Sequence, residues 1–116
     1  MAEPIIDAAT FDALKDTTGA DFVAELVDTF LAEAPLMLDD LRRGLADADA
    51  DRFRRAAHSL KSNSYTFGAM ALGAMARELE VGGLQRAQAD AAPAPVEALA
   101  AEYARVAAAL KGLRDA

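Results

Sequence analysis

From Asp21 to about Asp47 the apolar residues Phe22, Val23, Leu26, Val27, Phe30, Ala34, Met37 and Leu41 recur three and four positions apart, which stacks them on one face of a helix. The same spacing returns in Val96, Leu99, Tyr103, Val106, Leu110 and Leu113. Few β-branched residues cluster anywhere, and no stretch alternates apolar with polar side chains, so strands are not expected. The chain reads as all-α, and its 116 residues suit a single domain.

Punctuation divides the helices. Thr10 is a plausible N-cap for a short first helix around Phe11 to Lys15, which Thr17-Thr18-Gly19 ends. The long helical stretch that follows contains Pro35, where a missing backbone donor predicts a kink or a brief break. After the acidic turn Asp47 to Asp51, Asp49 or Asp51 can cap a helix running to about Phe67, and Gly68 closes it. A further helix covers roughly Met70 to Val81, ended or weakened at Gly82-Gly83. Ala91 to Pro95 reads as a linker, followed by a final amphipathic helix that packs on the rest more readily than it forms a short coiled coil. The expected fold is an antiparallel four-helix bundle over residues 20–116, with a short N-terminal helical extension over 1–19.

Composition then removes whole classes of chemistry. Without cysteine there are no disulfides, thiol nucleophiles or thiolate metal sites, and one histidine cannot build a multi-histidine metal centre. A net charge of −7 argues against nucleic acid as a partner. No stretch suits a membrane span, and MAEPIID does not resemble a secretory signal, so a cytoplasmic location is expected. There is no Ser-His-Asp order, no Gly-rich phosphate loop and no room for an ATP-binding domain, so no kinase or hydrolase site is expected. Asp39-Asp40 and Glu78 with Glu80 are read as carboxylates that solvate their helices.

What remains is His58. At about 100° per residue, Phe53, Ala56, Ala57, Leu60, Ser64 and Phe67 form one buried stripe, and His58 falls roughly 140° from Phe53, toward water. Arg52, Arg54, Arg55, Lys61 and Arg77 lie in the surrounding sequence, and no acid occurs between Asp51 and Glu78. Lys61 and Ser62, three and four residues on, are neighbours of the ring on the helix surface. Arginines on a helix usually serve solubility, and that reading suffices for Arg52 and Arg77; Arg54, Arg55 and Lys61 remain functional candidates. An imidazole, with a reference pKa of about 6.5, is largely neutral at cytoplasmic pH and offers a nucleophilic nitrogen. It can accept a phosphoryl group, whose charge Lys61 would offset without locking it in place.

With these residues in hand, the stretch AAHSLKSNSYTFGAMALGAMARELE resembles the active-site region of histidine phosphotransfer (HPt) domains in multistep phosphorelays. The similarity rests on His58, Leu60, Lys61, Ser62, Gly68, Leu72 and Leu79-Glu80. Upstream, FVAELVDTFLAEAPLMLDDLRRGLADAD is similar to the leading helices of that family, so the likeness spans about Asp21 to Glu80. It implies that His58 is phosphorylated, that Lys61 assists, and that the partners are response-regulator receiver domains and a hybrid histidine kinase. Mg²⁺ is then expected in the receiver, with no cofactor or metal bound by this chain itself. Arg54, Arg55, Ser62, Tyr65 and Gly68 are expected to bind the partner, and the protein to act as a monomer. Ser62 stands where most members carry glycine, and Asn63 and Tyr65 are bulkier or more polar than usual. Tyr65 has an ordinary alternative as a half-exposed ring packing along its own helix, and Gly68 as a helix-junction residue needed for folding. The competing functional reading is a helical adaptor or inhibitor that binds a receiver or kinase without carrying phosphate. A kinase dimerisation domain fits less well, because Ser59 follows His58 where an acid would stand.

Overall fold

The computed structural model describes residues 5–89 and 94–115, with side chains described for 5–85 and 95–115. The described residues are helical with short connections: α1 (Ala8–Thr18), α2 (Ala20–Ala46), α3 (Ala50–Phe67), α4 (Met70–Ala89) and α5 (Ala94–Arg114). Helix α2 packs against α3 and α5, and α4 also packs against both, while α1 lies on α2 and α3.

The cap of α1 lies three residues before the expected Thr10. Asp7 is the N-cap instead: its carboxylate accepts the Thr10 backbone N–H at 3.1 Å and the Thr10 hydroxyl at 2.5 Å. One carboxylate thereby satisfies an orphan donor of the first turn and holds Thr10 inside the helix. The break expected at Pro35 is absent, and α2 runs through it. Pro35 sits on the exposed face, where water can meet the carbonyl that its missing N–H leaves unpaired. Asp49 caps α3 as anticipated, accepting the Arg52 N–H at 3.1 Å.

The far end of α3 is closed by Gly68, in the left-handed conformation with φ 86 and ψ 15. The Ala69 N–H returns to the Ser64 carbonyl at 2.8 Å, and the Asp7 N–H donates to the Gly68 carbonyl, also at 2.8 Å. A left-handed residue at this position lets the chain reverse while the last carbonyls of the helix keep partners. In α4 the backbone leaves helical geometry at Gly83, with φ 71 and ψ −176. Counting on from Ala76, an unbroken helix would turn Gly83 toward the core; the departure brings Leu84 there, only 7% exposed. Of the expected 91–95 linker, residues 91–93 lie outside the described residues, while Ala94 and Pro95 open α5, where a proline costs no hydrogen bond.

All five helices contribute to one core cluster. Phe53, Leu41, Leu60, Leu72, Leu99 and Leu110 are its largest fully buried side chains, joined by Ile6 and Phe11 from the N-terminal segment. Truncating one such leucine to alanine costs roughly 2–5 kcal/mol, so this cluster dominates stability. Phe30 bridges it, with its ring centroid 5.3 Å from Phe67 and 5.9 Å from Tyr103. Ser64 is buried in the stripe of α3 without penalty, because its hydroxyl donates to the Leu60 carbonyl at 2.6 Å. Arg42 clasps Glu97 with two hydrogen bonds of 2.9 Å, linking α2 to α5. That pair is exposed and contributes at most about 1 kcal/mol. The apolar stripe Val96, Leu99, Val106 and Leu110 therefore holds α5 in place.

Candidate functional site

The buried stripe of α3 fixes the outward phase of His58. With Phe53, Ala57 and Leu60 at 0% exposure, the imidazole is turned away from the core and its side chain is 57% exposed. Its ring is nevertheless held. Nδ1 lies 2.5 Å from Oε2 of Glu80 on α4, and the other carboxylate oxygen of Glu80 accepts from Nζ of Lys61 at 2.8 Å. Glu80 is 17% exposed and Lys61 24%, so this pairing is better shielded than the ring it supports.

Electrostatics assign the proton. The Lys61 hydrogen bond is the main influence holding the Glu80 carboxyl below its ordinary range; desolvation opposes it, and His58 adds a smaller pull downward. Glu80 is therefore ionised and can only accept, so Nδ1 must carry the hydrogen. The lone pair of a neutral ring then resides on Nε2, on the side away from Glu80. A carboxylate behind one ring nitrogen fixes the orientation of the other and stabilises the cationic ring formed when that nitrogen is alkylated or phosphorylated.

This geometry corrects the expectation that Glu80 merely solvates its helix, and that cations alone ring His58. Glu80 sits four residues after Ala76 and seven after Gly73, on the flank of α4 that meets α3. That phase was readable from the sequence. What was not readable is which side chain of α3 would stand opposite, because the contact joins residues 22 apart.

The other anticipated site residues are placed as follows. Arg54 and Arg55 are exposed, and both pair with Asp51, at 3.0 Å each. Arg52 leaves α3 sideways to clasp Asp40 of α2 at 2.9 Å. Ser62 is exposed one turn beyond His58, and its carbonyl accepts the Thr66 hydroxyl at 3.0 Å. Tyr65 is half-buried and does not simply lie along its own helix: its ring covers Gly73 of α4, where a Cβ would come within 2.6 Å of the ring. Gly68, expected at the partner surface, has its Cβ direction filled by Asp7 and Thr10. It is buried under the N-terminal segment, and a Cβ there would meet the Asp7 carbonyl at 2.8 Å, so its place is structural. Among the described residues no group of three or more acidic or histidine side chains could hold a metal ion, and no helix is long and apolar enough to cross a membrane.

The family model described as Hpt domain matches residues 25–109. Among solved structures, histidine-containing phosphotransfer protein B (HptB) from Pseudomonas aeruginosa PAO1 superposes with a TM-score of 0.86 at 30% sequence identity, covering 98% of this chain and 97% of that one. A search of curated proteins returned no match. Hpt domains are phosphocarriers that interact with receiver domains and histidine kinases in phosphorelays. The chain belongs to the Hpt domain family, and its function is histidine phosphotransfer within a phosphorelay.

Proposed function

We propose that His58 carries the phosphoryl group, on Nε2, and exchanges it with the aspartate of a receiver domain. The observation that carries this reading is the hydrogen bond from Nδ1 to Glu80, made by the chain's single histidine on an exposed face of α3. In the forward step the Nε2 lone pair attacks phosphorus of the receiver's aspartyl phosphate. The P–N bond forms as the P–O bond to aspartate breaks, and the aspartate leaves as a carboxylate. The ring is left substituted at Nε2 and protonated at Nδ1, hence formally cationic, and Glu80 balances that charge. The reverse sequence discharges it. Lys61, at the same carboxylate, is close enough in sequence to reach the phosphoryl oxygens after a rotamer change.

The Mg²⁺ that neutralises the acyl phosphate belongs, in this reading, to the receiver, and the chain binds no cofactor and has no kinase or hydrolase site of its own. A hybrid histidine kinase supplies the phosphoryl group upstream. The chain works as a cytoplasmic monomer away from membranes and nucleic acid, in keeping with its net charge of −7. We read residues 1–116 as one domain in which 20–116 form an antiparallel four-helix bundle and 1–19 an extension. The mutual packing of α2, α3, α4 and α5 supports this reading, as does the placing of α1 on α2 and α3. Incubation with a phosphorylated receiver tests the function: acid-labile label on the wild type and none on His58→Gln is expected, whereas equal labelling of the two would exclude His58.

A further inference from the structure

Ser62, Ser64 and Thr66 stand at alternate positions of α3 after His58, and their hydroxyls are not used alike. Ser64 is buried and donates to the Leu60 carbonyl at 2.6 Å, and Thr66 donates to the Ser62 carbonyl at 3.0 Å. Each bonds the carbonyl four residues back, a common resting place for a helical hydroxyl. Ser62 is exposed and does not do so: among the described residues no acceptor holds its hydroxyl, the His58 carbonyl included. One helical turn separates it from His58, so the two Cβ atoms are about 5–6 Å apart on one face. Helical side chains lean toward the N-terminal end of their helix, which inclines the Ser62 hydroxyl toward the imidazole. Ser59, next after His58, points about 100° away around the helix, into the groove beside Met37 of α2.

We propose that Ser62 is a phosphoryl-binding residue, whose hydroxyl donates to an oxygen of the phosphoryl group on Nε2 and prolongs the life of phosphohistidine. The inference rests on the phosphotransfer reading above and adds a contact to it. Lys61 is already bonded to Glu80 at 2.8 Å, and moving it to the phosphoryl group would uncover the carboxylate that balances the charged ring. Ser62 binds without disturbing that pair. Its effect on lifetime follows from how the P–N bond breaks. In hydrolysis water attacks phosphorus, the bonding pair returns to Nε2, and both water protons leave with the phosphate. The transition state is loose, with the P–N bond largely broken before the new bond forms. Electron density on the phosphoryl oxygens drives that cleavage, and a hydrogen bond donated to one of them withholds it. An anionic acceptor makes such a bond stronger than a neutral one, so the hydroxyl favours the intact phosphohistidine over the transition state.

The test reads lifetime in the absence of any receiver. Wild type, Ser62→Ala, Ser62→Gly and Ser62→Thr are labelled to completion with phosphoramidate, freed of the donor and followed by phosphorus NMR. Ser62→Ala and Ser62→Gly should lose phosphohistidine at least about threefold faster than the wild type, the effect of one modest hydrogen bond at an exposed site. Ser62→Thr keeps the hydroxyl and should decay with the wild type. The phosphohistidine resonance should also move in Ser62→Ala, because a donor to one of its oxygens is gone. Equal lifetimes in the wild type and Ser62→Ala, or a threonine variant that decays as fast as the alanine one, would overturn the contact. Faster decay in Ser62→Gly alone would overturn it too, by showing that bulk and not the hydroxyl keeps water away. All of these outcomes leave label on His58 and the phosphotransfer reading intact. Absence of label on wild-type His58 from phosphoramidate and from phosphorylated receivers alike would overturn both.

Discussion

The Glu80 carboxylate stands 2.5 Å from Nδ1 of His58, across the seam between α4 and α3 and 22 positions away in the chain. If that bond orients the ring, Glu80→Ala should slow phosphorylation of His58 by about tenfold or more, as loss of a histidine's orienting partner does elsewhere. Nitrogen NMR of the ring should show hydrogen redistributing from Nδ1 toward Nε2 in the variant. Unchanged rates with unchanged tautomer signals would remove Glu80 from the mechanism.

Lys61 is tied to the same carboxylate, at 2.8 Å, and is the first cause of its depressed pKa. Lys61→Ala should therefore slow transfer while the bundle stays folded. It should also move the Glu80 titration upward, toward its ordinary value of 4.5, because the leading stabiliser of the ionised form is gone. Carbon NMR of the Glu80 carboxyl reads this directly, and an unmoved titration would show that the pair is not formed in solution.

A carboxylate with a lowered folded-state pKa contributes stability above its unfolded value and loses it as the pH falls through the folded value. The stability difference between wild type and Glu80→Gln should thus shrink as the pH falls below the ordinary glutamate range. Denaturant unfolding across that window checks the sign. A difference that grew with acid would contradict it.

Gly68 combines φ 86 with a Cβ position 2.8 Å from the Asp7 carbonyl. Gly68→Ala should cost at least about 1–2 kcal/mol from the left-handed backbone alone, and Gly68→Val more. Thermal melts should fall by several degrees. Phosphoramidate labelling of His58, measured well below the melt, should change little. Normal stability would mean that α1 and the α3 terminus are not buckled together.

Tyr65 and Gly73 make a second steric prediction. Gly73→Ala would press a methyl against the Tyr65 ring, at a cost of about 1–3 kcal/mol for overpacking. In a Tyr65→Ala background the same change should be nearly neutral, since the obstructing ring is absent. A double-mutant cycle with no coupling would place the ring elsewhere.

Helical period and capping made much of this protein legible before its structure. The apolar stripe of α3 correctly turned His58 outward, Asp49 was recognisable as a cap, and Gly83 marked the weak point of α4. The misreadings share one cause: a polar side chain's partner is chosen by packing between helices. Asp7 outcompeted Thr10 as a cap because the N-terminal segment folds back onto Gly68. Glu80 looked like one more solvated acid until α3 and α4 came together. Pro35 spared α2 because its face happens to be the wet one, which is decided by the neighbours of α2 and not by the proline.

The central claim is that the phosphoryl group sits on Nε2 of His58 with Nδ1 still hydrogen-bonded to Glu80. Phosphorus and nitrogen NMR of uniformly ¹⁵N-labelled, phosphorylated protein measures it most directly. A one-bond phosphorus–nitrogen coupling to Nε2 and a protonated Nδ1 are predicted. Coupling to Nδ1, or phosphorus on any other residue, would contradict the account.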